Sequence, residues 1–209
     1  MKSSKRKQNK GFLPTGSITW TQIETVERSE REYIEHYVYG KKRPDTIYLE
    51  LGRMVAETLE RRGEQTNVAA RAIRILVPHY PKTDVNIETT LTRGKEKLKI
   101  WGKLDGWNPR KNLQGEYKTG TYPWSKKRAQ DHGQLKLYAL IHYKNTGKIP
   151  DQELTWIETK FENGDLGITG NFLTHQVRQT LKDLLEMEAR IWKAKKKIEL
   201  LTKKELDII

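Results

Sequence analysis

The sequence predicts an α/β fold: a mixed sheet flanked by helices, with helices before the sheet and a long helix after it. Apolar and polar residues alternate with a period of two over residues 85–119, which is typical of strands, and apolar residues recur at helical spacing elsewhere. The 209 residues are enough for one sizeable core, and no Gly/Ser-rich linker divides them. We therefore expect a single domain over residues 15–209.

Three helices are predicted before the sheet. Thr19 and Gln22 form a capping box, which predicts a helix that continues to Gly40. Thr46 is a suitable N-cap for a second helix, and residues 68–77 have a helical pattern that two prolines end. The apolar face of the second helix is expected to consist of Leu49, Val55 and Leu59.

The sheet is expected to begin as an antiparallel meander. Strands are predicted at residues 85–93, 97–105 and 113–119, with Gly94 in the first turn and Asn108-Pro109 in the second.

A helix and a fourth strand should follow the meander. Ser125 can cap a helix that ends near Gly147, and residues 154–161 form an apolar strand that returns to the sheet. Apolar residues at helical spacing then predict a long helix from residue 174 to about residue 198.

The composition favours a protein that binds a polyanion. The chain has 40 Lys and Arg against 27 Asp and Glu, a net charge of +13, and nucleic acid is the commonest partner of such a chain. The same charge is compatible with a ribosome-associated module or one that binds acidic proteins. Residues 1–14 form a basic tail that we expect to be disordered. The absence of cysteine excludes disulfides, thiolate zinc sites and a cysteine-ligated iron–sulfur cluster. No signal peptide or membrane span is recognisable, so we expect a soluble, cytoplasmic protein with no membrane partner.

The most informative part of the sequence is the pair of predicted strands that carries Asp105, Glu116 and Lys118. Alternation puts Glu116 and Lys118 on one face of their strand, and Asp105 on the same face of its strand as Trp101 and Lys103. If the strands pair, two carboxylates and one ammonium converge. Carboxylates can hold a hard cation such as Mg²⁺, and the lysine can orient a nucleophilic water or offset charge on a phosphate. This inventory is typical of a metal-dependent phosphodiesterase.

A second stretch of the chain has the same letters. Asp151, Glu158 and Lys160 repeat the order of aspartate, glutamate and lysine. They fall on one predicted strand, which Asn163-Gly164 then turns into a hairpin, so Asp151 has no separate strand of its own. We therefore expect the first copy to form the site.

The residues around the first copy resemble a known family. Gly102 stands three residues before Asp105, residues 116–120 read Glu-Tyr-Lys-Thr-Gly, and Gln134 and Tyr138 lie on the following helix. This pattern resembles the RecB-like branch of the PD-(D/E)XK nuclease superfamily, where the run usually begins with aspartate. The resemblance implies a restriction-endonuclease-like αβββαβ core. It also implies that Gln134 and Tyr138, on one helix face, help to position the lysine or the nucleic acid.

The resemblance is weaker before the sheet. Residues 52–60 resemble the family's Gly-x-x-x-His-x-x-Leu-Glu helix, but Ala56 stands in place of the metal-binding histidine. The resemblance then implies that another carboxylate, or water, supplies the metal ligand that the histidine provides in the family. Arg28-Ser29 replaces a Cys-Pro pair of the family, in agreement with the loss of the cluster. The candidates for a further carboxylate ligand are Glu57, Glu60 and Glu88.

Together these observations predict a DNA nuclease, an exonuclease by resemblance, that acts on single- or double-stranded DNA in recombination, repair or phage DNA processing. It would use Mg²⁺ or Mn²⁺ and no iron–sulfur cluster. Asp105 and Glu116 would hold the metal with the backbone carbonyl of Tyr117, and Lys118 would help to deprotonate the attacking water. The alternative is a catalytically inactive nucleic-acid-binding recombination accessory protein of the same fold. A homo-oligomer or a recombination-protein partner is compatible with either hypothesis.

The loop after the lysine strand is aromatic and basic. Tyr122 and Trp124 could stack on an unpaired base, or anchor the loop as apolar groups. Lys126, Lys127 and Arg128 follow directly and are candidates for contacts with DNA phosphates.

Overall fold

The computed structural model describes residues 13, 16–59, 74–162 and 165–206. Most of the predicted basic tail, most of the predicted third helix, Glu60 and the Asn163-Gly164 turn lie outside these residues. The helices are α1 (Trp20–Arg28), α2 (Glu30–Tyr33), a π-helical turn (Ile34–Val38), α3 (Ile47–Leu59), α4 (Lys126–Gln130), α5 (Gly133–Thr146) and α6 (Leu181–Leu206). The strands are β1 (Lys82–Arg93), β2 (Glu96–Asn108), β3 (Leu113–Gly120), β4 (Asp151–Glu162) and β5 (Asp165–Arg178).

These elements confirm the predicted fold class. The five strands form one mixed sheet in the order β1-β2-β3-β4-β5. β3 pairs antiparallel with β2 and parallel with β4, in register from Leu113↔Asp151 to Gly120↔Glu158. β4 and β5 form an antiparallel hairpin. Each described helix is too short or too polar to cross a lipid bilayer.

The chain divides into two compact units. One contains the described parts of Met1–Arg43, Thr90–Ile100 and Glu188–Ile209, and the other contains those of Pro44–Thr89 and Trp101–Met187. The single domain over residues 15–209 stays a prediction.

In the first unit, the predicted capping box is present but the helix is interrupted. Thr19 accepts from the amide of Gln22, whose side chain accepts from the amide of Thr19 at 2.9 Å. The prediction of one helix to Gly40 is wrong, because Ser29 is extended. Its amide donates to the Thr25 carbonyl at 2.8 Å, and its hydroxyl accepts from the amide of Glu32. Ser29 therefore ends α1 and starts α2, which a second Ser-x-x-Glu signal in the sequence could have indicated.

In the second unit, Thr46 caps α3 as predicted, and its hydroxyl accepts from the amide of Leu49. The predicted apolar face is wrong in one residue, because Leu49 is exposed and Leu51 is buried instead. Leu51, Val55 and Leu59 lie four residues apart and so share one helix face. That face packs in a cluster with Val77 and Ile157.

The helix that Ser125 caps is shorter than predicted. Ser125 caps α4, which ends at Gln130, and a separate helix, α5, begins at Gly133. α5 ends at Gly147 as predicted, where a left-handed backbone with φ of 72° lets the amide bond to the Tyr143 carbonyl at 2.8 Å.

The prediction that the last helix begins at residue 174 is also wrong. Thr174 belongs to β5, where its hydroxyl hydrogen-bonds that of Thr155 across the β4–β5 ladder at 2.9 Å. Val177, which has helical spacing to later apolar residues, is buried as a strand residue. α6 begins only at Leu181, where the side chains and amides of Thr180 and of Asp183, in the first turn, cap one another.

The side chain of Tyr80 covers two glycines that face each other across β2 and β3. Gly106 pairs with Gly115, and a Cβ atom would lie 2.0 Å from a Tyr80 ring carbon at Gly106 and 2.1 Å from one at Gly115. The phenol oxygen donates to Glu153 at 2.8 Å, which fixes the buried ring in place. The sheet therefore needs residues without side chains at both positions.

We predict that Gly106→Ala lowers the free energy of unfolding by about 1–3 kcal/mol, because the new methyl group displaces the Tyr80 ring. Gly167→Ala on β5 is the matched control, since no atom lies within 4 Å of its Cβ position. There we expect no loss, or a gain of up to about 1 kcal/mol. Urea unfolding of both variants measures the difference, and equal stabilities would contradict the packing argument.

Candidate active site

The two predicted carboxylates lie where β2 and β3 meet. Asp105 directly precedes Gly106 of the β2–β3 ladder, and Glu116 directly follows Gly115. The amide of Tyr117 donates to Oδ2 of Asp105 at 2.8 Å, so a side chain of one strand holds the backbone of the other. Glu116 is only 2% exposed. The two carboxylates therefore converge, as the alternation pattern predicted.

Lys118 joins this pair to helix α5. Its Nζ donates to Oε1 of Glu116 at 2.5 Å and to Oε1 of Gln134 at 2.8 Å. Because Glu116 and Lys118 are two residues apart on one strand, they share a face. The structure thus brings together Asp105, Glu116, Lys118 and Gln134.

The ring of Tyr138 lies against the backbone of β2 at Gly102. A Cβ atom at Gly102 would be 2.3 Å from Cε1 of Tyr138, so only glycine leaves room for the ring. The phenol oxygen donates to the Lys103 carbonyl at 2.7 Å and accepts from Nε2 of Gln134 at 2.6 Å. Since Gln134 accepts from Lys118, an unbroken chain of hydrogen bonds runs from β2 through α5 to β3. These hydrogen bonds and the close packing against Gly102 connect the glycine, lysine, glutamine and tyrosine of the sequence pattern in one arrangement.

Two buried glutamines on the sheet donate hydrogen bonds to the backbone of helix α5. Nε2 of Gln152 on β4 donates to the Leu135 carbonyl and to Oε1 of Gln114 on β3, both at 2.8 Å. Gln114 in turn donates to the Tyr138 carbonyl at 3.5 Å. Both glutamines are fully buried. Neither glutamine was predicted as part of the site, although Gln114 stands at an inward position of a predicted strand, where an apolar residue is usual.

The buried carboxylates hold protons more tightly than exposed ones. Burial, together with the charge of Asp105, raises the pKa of Glu116 to about 8, against the opposing effect of Lys118. Burial also raises the pKa of Asp105, although Lys118 and the Tyr117 amide favour its charged form. A further positive charge at this place would favour ionisation of both groups.

One oxygen of Glu116 lacks a hydrogen-bond donor in the part of the chain that the structure describes. Oε2 of Glu116 is buried and has no hydrogen-bond partner among the described residues. A buried carboxylate oxygen is costly to leave unpaired. Its neighbour is a second carboxylate, and paired carboxylate oxygens are the ligands that Mg²⁺ and Mn²⁺ prefer. The donor set therefore fits a hard divalent cation held by Asp105 and Glu116.

The further candidate ligands do not join this pair. Glu57 and Glu88 are exposed, and Glu60 lies outside the described residues. Within the described part of the chain, no three His, Asp or Glu side chains form a cluster that could hold a metal. Ala56 lies on α3, one turn after Gly52, whose Cβ position is 3.5 Å from the Thr119 hydroxyl of β3. No described carboxylate replaces the missing histidine.

The loop after β3 exposes only some of the residues that were predicted to contact DNA. Trp124 is 9% exposed, so it anchors the loop, and its ring meets that of His132 edge-on at 4.9 Å. The guanidinium of Arg128 lies 4.0 Å above the indole ring. Lys127 pairs with Asp131, and Lys126 is exposed. Burial and the charge of Lys118 lower the pKa of His132 to about 3, so this histidine is neutral.

The second copy of the written motif forms no comparable site. Asp151 pairs with Arg178 at 3.0 Å, and Lys160 pairs with Glu162 at 2.6 Å. Glu158 accepts from Thr169 and Asn171 on β5. These are surface contacts of the β4–β5 hairpin. Asp151, Glu158 and Lys160 all lie on β4, as the sequence indicated.

Solved structures share this fold, although no protein-family profile matches the chain and no curated protein matches it significantly. A candidate exonuclease from Eubacterium rectale superposes with a TM-score of 0.60 at 13% identity, over 92% of this chain and 83% of its own. A phage-related exonuclease from Haemophilus somnus 129PT superposes with a TM-score of 0.51 at 14% identity, over 95% of this chain and 90% of its own. At these identities the likeness establishes the fold.

Proposed function

We propose that this protein is a metal-dependent deoxyribonuclease of the RecB-like branch of the PD-(D/E)XK superfamily, and that it acts as an exonuclease in recombination, repair or phage DNA processing. The observation that carries the proposal is the buried Oε2 of Glu116, which lies beside Asp105 and Lys118 and has no hydrogen-bond partner among the described residues. Two carboxylates and a fixed ammonium suit phosphodiester hydrolysis. The net charge of +13 supports a nucleic-acid substrate, and two proteins of the same fold are named exonucleases.

The residues divide the work between binding a cation and preparing the water. Asp105 and Glu116, with the backbone carbonyl of Tyr117, would hold Mg²⁺ or Mn²⁺, which when bound supplies a Lewis acid for the scissile phosphate. Lys118 orients the attacking water and offsets charge on the phosphate oxygens. Gln134 holds the ammonium in place from α5, and Tyr138 holds Gln134. A loose lysine would lose the geometry on which its contribution depends.

A second function is favoured by one specific observation. Ala56 stands where the resembled family has a metal-binding histidine, and the described residues offer no replacement. A protein that keeps the fold and binds DNA without cutting it, as an accessory to recombination, is consistent with this loss. Calorimetric titration with Mn²⁺ separates the two functions. No metal binding, together with DNA binding that weakens steeply with salt, would favour the accessory protein.

We predict that Asp105→Ala and Lys118→Ala each reduce cleavage of DNA in Mg²⁺ by at least about 100-fold, because each removes a group that acts at the reacting phosphate. End-labelled linear and circular DNA of the same sequence measures the rate and distinguishes cutting from ends and within the strand.

The second copy of the motif supplies matched controls for this experiment. Asp151→Ala and Lys160→Ala remove the same residue types from the surface of the β4–β5 hairpin, and we expect them to cleave as the wild type does. Circular dichroism checks that all four variants fold. Folded Asp105→Ala or Lys118→Ala protein that still cuts would overturn the assignment.

We also predict that the affinity for Mn²⁺ rises with pH and levels off above about pH 8. The raised pKa of Glu116 means that the metal-free protein keeps a proton there up to about pH 8, and the cation must displace that proton. Below this pH, binding therefore releases a proton, which calorimetry in buffers of different ionisation enthalpy detects. Glu116→Gln should lower the affinity and remove the part of its pH dependence near pH 8, and an unchanged pH profile would contradict the prediction.

A further inference from the structure

The loop between β3 and α4 is held at both ends. At its start, the indole N–H of Trp156 donates to the Gly120 carbonyl at 3.0 Å. At its end, the Trp124 carbonyl is hydrogen-bonded to Nε2 of His175 at 2.6 Å, and the indole of Trp124 is buried. Ser125 then caps α4 through the amide of Arg128 at 3.1 Å. The loop is therefore a fixed part of the surface.

Between these anchors the loop exposes one aromatic ring. Tyr122 is 80% exposed, more than any other large apolar side chain among the described residues. Pro123 follows and restricts the backbone of Tyr122 to extended conformations. An exposed ring on a loop that is held at both ends is suited to stack on a ligand.

The loop is close to the candidate active site. The ring of Trp124 contacts that of His132, and His132 immediately precedes α5, which carries Gln134. The charge of Lys118 acts on His132 as well. Tyr122 itself lies four residues beyond Lys118 along the chain. A strand bound at Asp105 and Glu116 can therefore reach this loop.

A fixed positive charge accompanies the exposed ring. The guanidinium of Arg128 lies over the Trp124 ring at 4.0 Å and has no carboxylate partner among the described residues. Stacking on an aromatic face holds the guanidinium plane while its N–H groups stay available to a phosphate. Stacking rings beside backbone-binding cations are what proteins use to hold unpaired strands.

We propose that Tyr122 stacks on an unpaired nucleobase and that Arg128 binds a phosphate of the same strand. The substrate class is then a single strand or a frayed DNA end, rather than an intact duplex. The inference rests on the proposed function for its choice of DNA. It deepens that function by naming the form of DNA that enters the site.

Equilibrium binding without cleavage tests the stacking residue. A labelled 12-nucleotide single strand and a blunt hairpin duplex are titrated in EDTA by fluorescence anisotropy. Tyr122→Ala should weaken single-strand binding about five- to hundredfold, as expected for one lost base stack, and leave duplex binding unchanged. Tyr122→Phe should retain affinity because its ring can still stack. Phe161→Ala, which removes another exposed ring, should have no effect.

A 2-aminopurine base in the single strand gives a direct readout, since stacking quenches its fluorescence. Quenching should be present with the wild type and Tyr122→Phe and absent with Tyr122→Ala. Equal single-strand affinity of Tyr122→Ala and the wild type would overturn the proposal, as would an equal loss on the duplex. Failure of the wild type to cleave DNA would instead refute the nuclease function and leave this binding result to decide the inference.

The salt dependence of binding tests the arginine. Arg128→Ala should lower the slope of log affinity against log salt by about 0.7, the value for one phosphate contact to a single strand. Arg178→Ala is the matched control, because Arg178 already pairs with Asp151 at 3.0 Å, and its slope should equal that of the wild type. An unchanged slope for Arg128→Ala would remove Arg128 from the proposed site.

Discussion

The arrangement of the site depends on the hydrogen bonds of the Lys118 ammonium group. This group is bound by Glu116 from its own strand and by Gln134 from helix α5. A carboxylate as buried as Glu116 needs a charged partner, since a buried lone charge costs several kcal/mol. The partner in turn needs a second acceptor to fix its direction. Lys118 thus offsets the buried charge of Glu116 on the sheet and also bonds helix α5 to that sheet.

Close packing against glycine sets the distances that these hydrogen bonds require. Tyr138 reaches the Lys103 carbonyl only because Gly102 has no side chain. Tyr80 covers Gly106 and Gly115 in the same way, next to the two carboxylates in sequence. In both places an aromatic ring fills the space that a side chain on the strand would otherwise occupy. The rings of Tyr80 and Tyr138 therefore cover the strand backbone beside the two carboxylates.

Short-range signals in the sequence were sufficient for the αβββαβ order, the capping box at Thr19 and the convergence of Asp105 with Glu116. The errors occurred where a local pattern has two readings. Val177 fits a helical spacing, but pairing with β4 places it in a strand. Ser29 divides a periodic segment because its side chain competes for a backbone amide. The buried role of Gln152 depends on α5 lying across β4, which no local pattern contains.

The amide pair formed by Gln114 and Gln152 has a consequence for how this fold can diverge. The amide of Gln152 donates to that of Gln114, and the two side chains also donate to two carbonyls of α5. Losing one partner leaves a buried polar group without its hydrogen bond, whereas exchanging both for apolar residues of similar shape is nearly neutral. The two positions should therefore change together among relatives, and a chain with only one glutamine marks an intermediate that selection removes. Covariation between β3 and β4 at this pair would trace descent even where overall identity has fallen too low to show it.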